Sequence, residues 1–214
     1  MEIVRPDKNS GLGIYAKSVA VNPKEYTTLG NDMCQWLDSV NGTFKGEYNR
    51  AFAIAHAQVA NVADPIKLFV LDKQFVNPNV PENKRQNLVN CFFEAQAIWN
   101  AEILEKPEKI TRKVPKRKVS PIKNGKVEVE IVHEDKELSN LIEVEEACMS
   151  WQHRKGKKMK RYHTIKVRYQ YLDKNILGMT VVKTFEGWVE GLKAHILQHE
   201  CDHFNAVNMY YDKH

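Results

Sequence analysis

Residues 198–203 read Gln198-His199-Glu200-Cys201-Asp202-His203. Two histidines four residues apart stand one turn apart on one face of a helix, so their imidazoles can meet at a single cation. On such a helix Glu200 is offset from His199 by about 100°. Its carboxylate then reaches a water on the cation without becoming a ligand. This is the pattern of metal-assisted hydrolysis: a divalent ion acidifies water and a neighbouring carboxylate moves the proton. A motif this short also arises by chance, and a pair of buried, hydrogen-bonded core histidines is the competing reading. Leu192 and Ile196 continue the histidine stripe and turn that face inward.

A catalytic ion needs a third protein ligand and an open position. Ala206 and Met209 stand where a metzincin would need glycine and histidine, and none of the eleven residues after His203 is a glutamate. Asp212 and His214 remain available in the tail. The better candidate is upstream: Cys148, within Glu145-Glu146-Ala147-Cys148-Met149-Ser150, because a thiolate binds zinc and iron strongly. Cys34, Cys91 and Cys201 read as buried core thiols, and Cys201 falls away from the His199/His203 face. Four scattered cysteines with no CxxC pair argue against a disulfide framework.

The elements that must position these groups follow from periodicity. Pro23 to Val40 carries Tyr26, Leu29, Met33, Trp36, Leu37 and Val40 at helical spacing, closed by Asn41-Gly42. Buried strands are expected over Ala51–Val59, Lys67–Asp72 and Ala97–Leu104, and an alternating strand over Val127–Val132. His163–Asp173 alternates Ile165, Val167, Tyr169 and Tyr171 with polar residues, and Ile176–Glu186 is its hairpin partner across a Lys174-Asn175 turn. A helix over Gly187–Asn205 then carries the histidines. Consecutive hairpins with a helix near either end predict an α+β fold, antiparallel sheets packed around a central metal-binding helix, with an N-terminal helix.

The chain has 214 residues, 43% hydrophobic and 28% charged. That suits one folded domain over 1–214 and rules out wholesale disorder. No apolar run approaches the roughly 20 residues of a membrane span, and Met1 to Asp7 lacks the apolar core of a secretory signal. The expected compartment is the cytoplasm, with no membrane and no DNA partner. Charge is segregated: Lys109–Lys126 holds eight basic residues and no acid, Val127–Glu146 eight acids and one lysine, and Arg154–Arg161 six basic residues. The first run, with Pro115, Pro121 and Gly125, reads as an exposed loop or hairpin entry. Its lysines either pair loosely with the acidic stretch or contact RNA phosphate, for instance on a ribosome.

Taken together these residues resemble the peptide deformylase family, whose motifs run GxGxAAxQ, EGCLS and QHExDH. The third is intact at Gln198–His203. The second appears as Glu146-Ala147-Cys148-Met149-Ser150. The first appears as Ala51-Phe52-Ala53-Ile54-Ala55-His56-Ala57-Gln58, with both glycines replaced by alanine and His56 in place of an alanine. The segment between Asp72 and Glu146 is longer than is usual in the family, which implies an inserted basic and acidic segment at about 105–143.

The resemblance implies a metal-dependent hydrolase that removes the formyl group from N-formylmethionyl peptides of nascent proteins and releases formate. It implies Cys148, His199 and His203 as ligands of one divalent ion, Fe(II) with nickel or zinc as substitutes. Glu200 becomes the general base and acid, and the Gln58 amide and Met149 backbone N–H the oxyanion donors. Asp202 is either an acceptor for a ligand histidine or a surface residue. His56 is a satisfied core histidine, a pocket residue or an extra ligand. The alanines at 51, 53 and 147 leave two other readings open: an amide hydrolase of altered specificity, and a non-catalytic relative that binds the ribosome or RNA.

Overall fold

The computed structural model describes residues 13–43, 51–59, 64–76, 92–119, 129–148, 150, 156–207 and 209. Asn22 caps a 3-10 turn over Pro23–Tyr26, its side chain accepting from the Lys24 N–H, and the chain continues into α1, Thr27–Thr43. Strands β1 (Ala53–Ala55), β2 (Leu68–Leu71) and β3 (Ala97–Glu105) follow. Two hairpins come next, β4 (Lys109–Val119) with β5 (Val129–Ser139) and β6 (Leu141–Glu146) with β7 (Lys157–Tyr162). Strands β8 (Thr164–Lys174) and β9 (Thr180–Glu190) lead directly into α2, Gly191–Phe204.

The main sheet runs β1-β2-β3-β8-β9, every pair antiparallel. It carries a helix on each face, and the alternation of its strands decides which side chain meets which helix. On the α2 side, Phe69, Leu71, Ile98, Ile165, Val167 and Tyr169 pack with Ala194, Leu197, Cys201 and Phe204. On the α1 side, Ile54, Leu68, Val70, Ala97 and Trp99 pack with Met33 and Leu37. β2 therefore reads as an unbroken apolar run because both of its faces are covered. Gly30 is required where α1 crosses β3: a Cβ there would sit 2.7 Å from Trp99 Cζ2. β3 bulges between Trp99 and Glu102, where Asn100 takes φ 52 and its side chain bonds both the N–H and the carbonyl of Val21.

Several boundaries differ from expectation: the first α-helix runs Thr27–Thr43 after its 3-10 turn, the strand expected over Val127–Val132 continues to Ser139, and three more have a clear local cause. Strand β1 ends at Ala55, and His56–Gln58 turn as a 3-10 helix rather than continuing extended to Val59. The β8–β9 turn lies at Asn175–Met179, not at Lys174-Asn175. Asn175 Oδ1 accepts from the N–H groups of Leu177 and Met179, and Gly178 supplies φ +75. The last helix begins at Gly191, not Gly187, because residues 187–190 stay paired to β8 and the left-handed φ of Gly191 ends the strand.

The charge segregation becomes cross-strand pairing. The basic run forms β4 and the acidic run β5, with Lys109–Glu137 and Lys116–Glu134 ion pairs between them. The second half of the acidic run forms β6, whose Glu143 and Glu145 register with Lys160 and Lys158 of β7.

Candidate metal centre

The period of α2 places His199 and His203 side by side, ring centroids 5.0 Å apart and nearly perpendicular. The loop after β6 carries Cys148 to the same place. Its sulfur is 3.5 Å from His203 Nε2, and one ligand atom from each of Cys148, His199 and His203 lies within 4.8 Å of the others. Val144, Met159 and Met209 pack around Cys148, which is buried. Burial alone would push the Cys148 thiol up, but the adjacent His203 and His199 imidazoles outweigh it and hold the thiol well below its ordinary range. The other two described cysteines behave oppositely: burial pushes Cys34 and Cys201 up to about 12, as inert thiols. Cys91, Asp212 and His214 lie outside the described residues.

A set of one sulfur and two imidazole nitrogens suits a divalent transition metal with an open position. The surrounding hydrogen bonds fit such an ion. His199 Nδ1 donates to Glu146 Oε2 at 3.1 Å, which fixes the tautomer and leaves Nε2 available to an ion. Glu146 is in turn held by both arms of Arg161, Nε to Oε1 and Nη2 to Oε2, each 2.7 Å. Burial would raise the Glu146 carboxyl, but the bonds from Arg161 and His199 bring it down to about 2. It is therefore a permanent anion beneath the histidine.

Asp202 plays a different part from the one considered for it. Its Oδ2 accepts from Arg161 Nη1 at 2.6 Å, so it steadies the guanidinium and not a histidine. The acceptor for His199 is Glu146, which sequence reasoning registered only as a motif letter. Arg161 stood in the sequence only as one of six basic residues over Arg154–Arg161, and it is 6% exposed. The available signal was the complement between the acids of β6 (Glu143, Glu145, Glu146) and the cations of β7 (Lys157, Lys158, Lys160, Arg161), which is legible only once the two segments are paired.

Glu200 is 2% exposed, and its Oε2 has no hydrogen-bond partner among the described residues. Burial holds its carboxyl above the ordinary range, against the pull of His199 and His203. Gln58 is brought in by the 3-10 turn that cuts β1 short. The Ala55 N–H donates to Gln58 Oε1 at 2.8 Å, turning the amide nitrogen toward Cys148 Sγ (3.4 Å) and Ser150 Oγ (3.0 Å). Met149 lies outside the described residues. His56 is a satisfied core histidine: its Nδ1 accepts from the Ile66 N–H at 3.1 Å, and burial pushes its pKa down. Ala51 and Ala53 are not among the positive-φ residues, so alanine is unstrained at both.

An antiparallel α+β frame around a helix bearing a Cys/His/His cluster and a buried carboxylate defines a metal-dependent hydrolase. The profile of the polypeptide deformylase family matches residues 2–214, and the chain belongs to that family of enzymes. Among solved structures it is similar to peptide deformylase 1B of Arabidopsis thaliana in complex with an inhibitor. That comparison gives a TM-score of 0.52 and 14% identity over 100% of this chain and 82% of that one, and shows the shared fold. The peptide deformylase of Thermotoga maritima matches with a TM-score of 0.48, 19% identity, and coverage of 98% and 96%. A class I type b peptide deformylase from Acinetobacter baumannii, bound to Met-Ala-Ser, matches with a TM-score of 0.47, 19% identity and 98% coverage of both chains. A search of curated protein sequences returns no match. The family assignment favours deformylase activity over the non-catalytic reading.

Proposed function

We propose that this chain hydrolyses the formamide of N-formylmethionyl peptides at the Cys148/His199/His203 cluster, in the cytoplasm, as one domain carrying the β4–β5 hairpin as an insertion. The observation that carries the reading is the convergence of those three ligand atoms within 4.8 Å, beside a buried Glu200 whose Oε2 is unpartnered. A divalent cation held there, iron(II) with nickel or zinc able to replace it, supplies Lewis acidity and a water of lowered pKa.

The chain's own groups do the rest. Glu200 takes a proton from the attacking water and delivers it to the leaving amine, so water and formyl-peptide become formate and a free amino terminus. Its burial suits a group that must hold and then release that proton near neutral pH. The Gln58 amide, oriented by Ala55, donates to the oxyanion that develops on the formyl oxygen, and the Met149 N–H is its companion. Glu146 keeps the His199 ring in place, and Arg161 keeps Glu146 in place.

The test is formate release from formyl-Met-Ala-Ser by protein with a measured full metal complement. Wild type is expected to release it. Cys148→Ala is expected to lose both metal and activity, and Glu200→Ala to keep the metal and lose the activity. Fully loaded wild type that leaves the peptide intact would defeat the reading.

A further inference from the structure

The main sheet ends unevenly at the β8–β9 turn. β3 pairs with β8 no further than Gln170, while β8 and β9 stay paired as far as Lys174 and Thr180. Tyr171 to Lys174 are therefore paired to β9 alone, and this two-stranded ribbon carries the turn about 13 Å past the last β3 pair. α2 starts from the opposite end of β9, so the turn is the part of the hairpin farthest from the metal-binding helix.

What the ribbon presents is aliphatic. The turn reads Asn175-Ile176-Leu177-Gly178-Met179. Ile176 is fully exposed, Leu177 74% and Met179 55%. Single exposed aliphatics are ordinary on a protein surface, but a cluster of them at a protruding tip marks a contact. The tip is also well built. The Asn175 N–H donates to the Met179 carbonyl at 3.0 Å and the Gly178 N–H to the Asn175 carbonyl at 2.9 Å. Asn175 Oδ1 accepts from Leu177 and Met179. Four of the five N–H groups of the turn are thus satisfied internally, which is what a segment needs before it leaves water for an apolar medium.

The residues behind the tip are of the opposite kind. Lys174 is exposed and has no ion pair among the described residues, Lys183 pairs with Asp173, and Tyr171 stands opposite Lys183. An aliphatic tip backed by lysines and a tyrosine follows the order of layers at a lipid surface, hydrocarbon and then headgroup. A rigid protein partner fits less well. Three such side chains supply roughly 300 Å² of apolar surface, against about 800 Å² a side for a stable protein interface. The flanking residues Asp173, Lys174, Thr180 and Lys183 are all exposed and polar, so they do not widen the patch.

We propose that the β8–β9 tip is a membrane-surface contact, in which Ile176, Leu177 and Met179 enter the acyl boundary of a phospholipid bilayer while Lys174 and Lys183 meet headgroup phosphates. The contact is peripheral, since no helix among the described residues is long and apolar enough to cross a membrane. The expectation of no membrane partner rested on spanning segments, and a surface contact needs none. The contact is independent of the chemistry at Cys148, His199 and His203.

The experiment is co-sedimentation of the full chain with vesicles of phosphatidylcholine containing about one quarter phosphatidylserine, at about 0.15 M salt. Wild type is expected in the lipid pellet. Joint replacement Ile176→Ser, Leu177→Ser and Met179→Ser should lower the lipid partition coefficient at least about ten-fold, and Lys174→Glu about three- to five-fold. Melting temperatures should stay within about 2 °C of wild type, because the replaced side chains are exposed. Ile176→Trp should bind at least as well as wild type, its added fluorescence quenched by brominated acyl chains. Wild type that stays in the supernatant at millimolar lipid would overturn the proposal, and so would undiminished binding by the triple variant. Self-association of wild type that the triple variant loses, without lipid binding, overturns it in favour of a second copy of this chain. Should the triple variant fail to fold, the Ile176→Trp chain decides: a tip tryptophan that binds vesicles without being quenched places the contact elsewhere and overturns the proposal.

Discussion

The β4–β5 hairpin and the β6–β7 hairpin are built from the same kind of sequence, acids on one strand and cations on the other. In the first, Lys116 and Glu134 pair at 2.8 Å with side chains 63% and 47% exposed. In the second, Arg161 and Glu146 pair at 2.7 Å with side chains 7% and 11% exposed. The contact distances are nearly the same and the consequences are not. Water screens the exposed pair and stands in for either partner. The buried pair has no such substitute, and its geometry is transmitted through His199 to the ligand cluster. Arginine also matters there, because its fork occupies both Glu146 oxygens and still reaches Asp202, which a lysine cannot do.

The largest expected effects lie at the cluster itself. Cys148→Ala should reduce bound metal to less than about a tenth of wild type and formate release to background, read by elemental analysis and assay on one preparation. Glu200→Gln should retain the metal while kcat falls by about 10²–10⁴. A Glu200→Gln enzyme of near wild-type rate would remove the carboxylate from the mechanism.

Arg161→Met comes next. It strips the buried Glu146 anion of its guanidinium and leaves it only the His199 N–H, with an expected loss of about 3–5 kcal/mol in stability and about 10–100-fold in metal affinity. Denaturant unfolding and competition with a chelator measure the two. If Arg161→Met is as tolerant as a hairpin variant, burial is not what separates the two regions.

Withdrawing the ion with a chelator should lower the melting temperature of wild type and leave that of Cys148→Ala unmoved, because only a chain that binds the ion gains stability from it. The smallest effect is expected at the exposed pair. Lys116→Ala and Glu134→Ala, alone or together, should shift the melting temperature by no more than about 2 °C and leave formate release unchanged.

Much of the frame was legible along the chain. The alternation of Ile165, Val167 and Tyr169 marked β8, and the helical spacing of Met33 and Leu37 marked α1, because each pattern answers to a local period. The ends of elements were less legible. The turn at Asn175–Met179 depends on one side chain folding back on two backbone groups, and the end of β1 depends on the Ala55–Gln58 bond. The hairpin register of β6 and β7 had no local period strong enough to announce it.

His199, Glu200 and His203 are determined by sequence alone in one respect: 3.6 residues per turn puts two imidazoles on one face and a carboxylate beside them wherever that helix forms. That a thiol lies beside them was decided only by the tertiary structure, since Cys148 and His203 are 55 positions apart and no local rule spans that separation. The same holds for Glu146 against His199 and for Arg161 beneath both. Their roles follow from burial, and burial belongs to the packed fold, not to any stretch of chain.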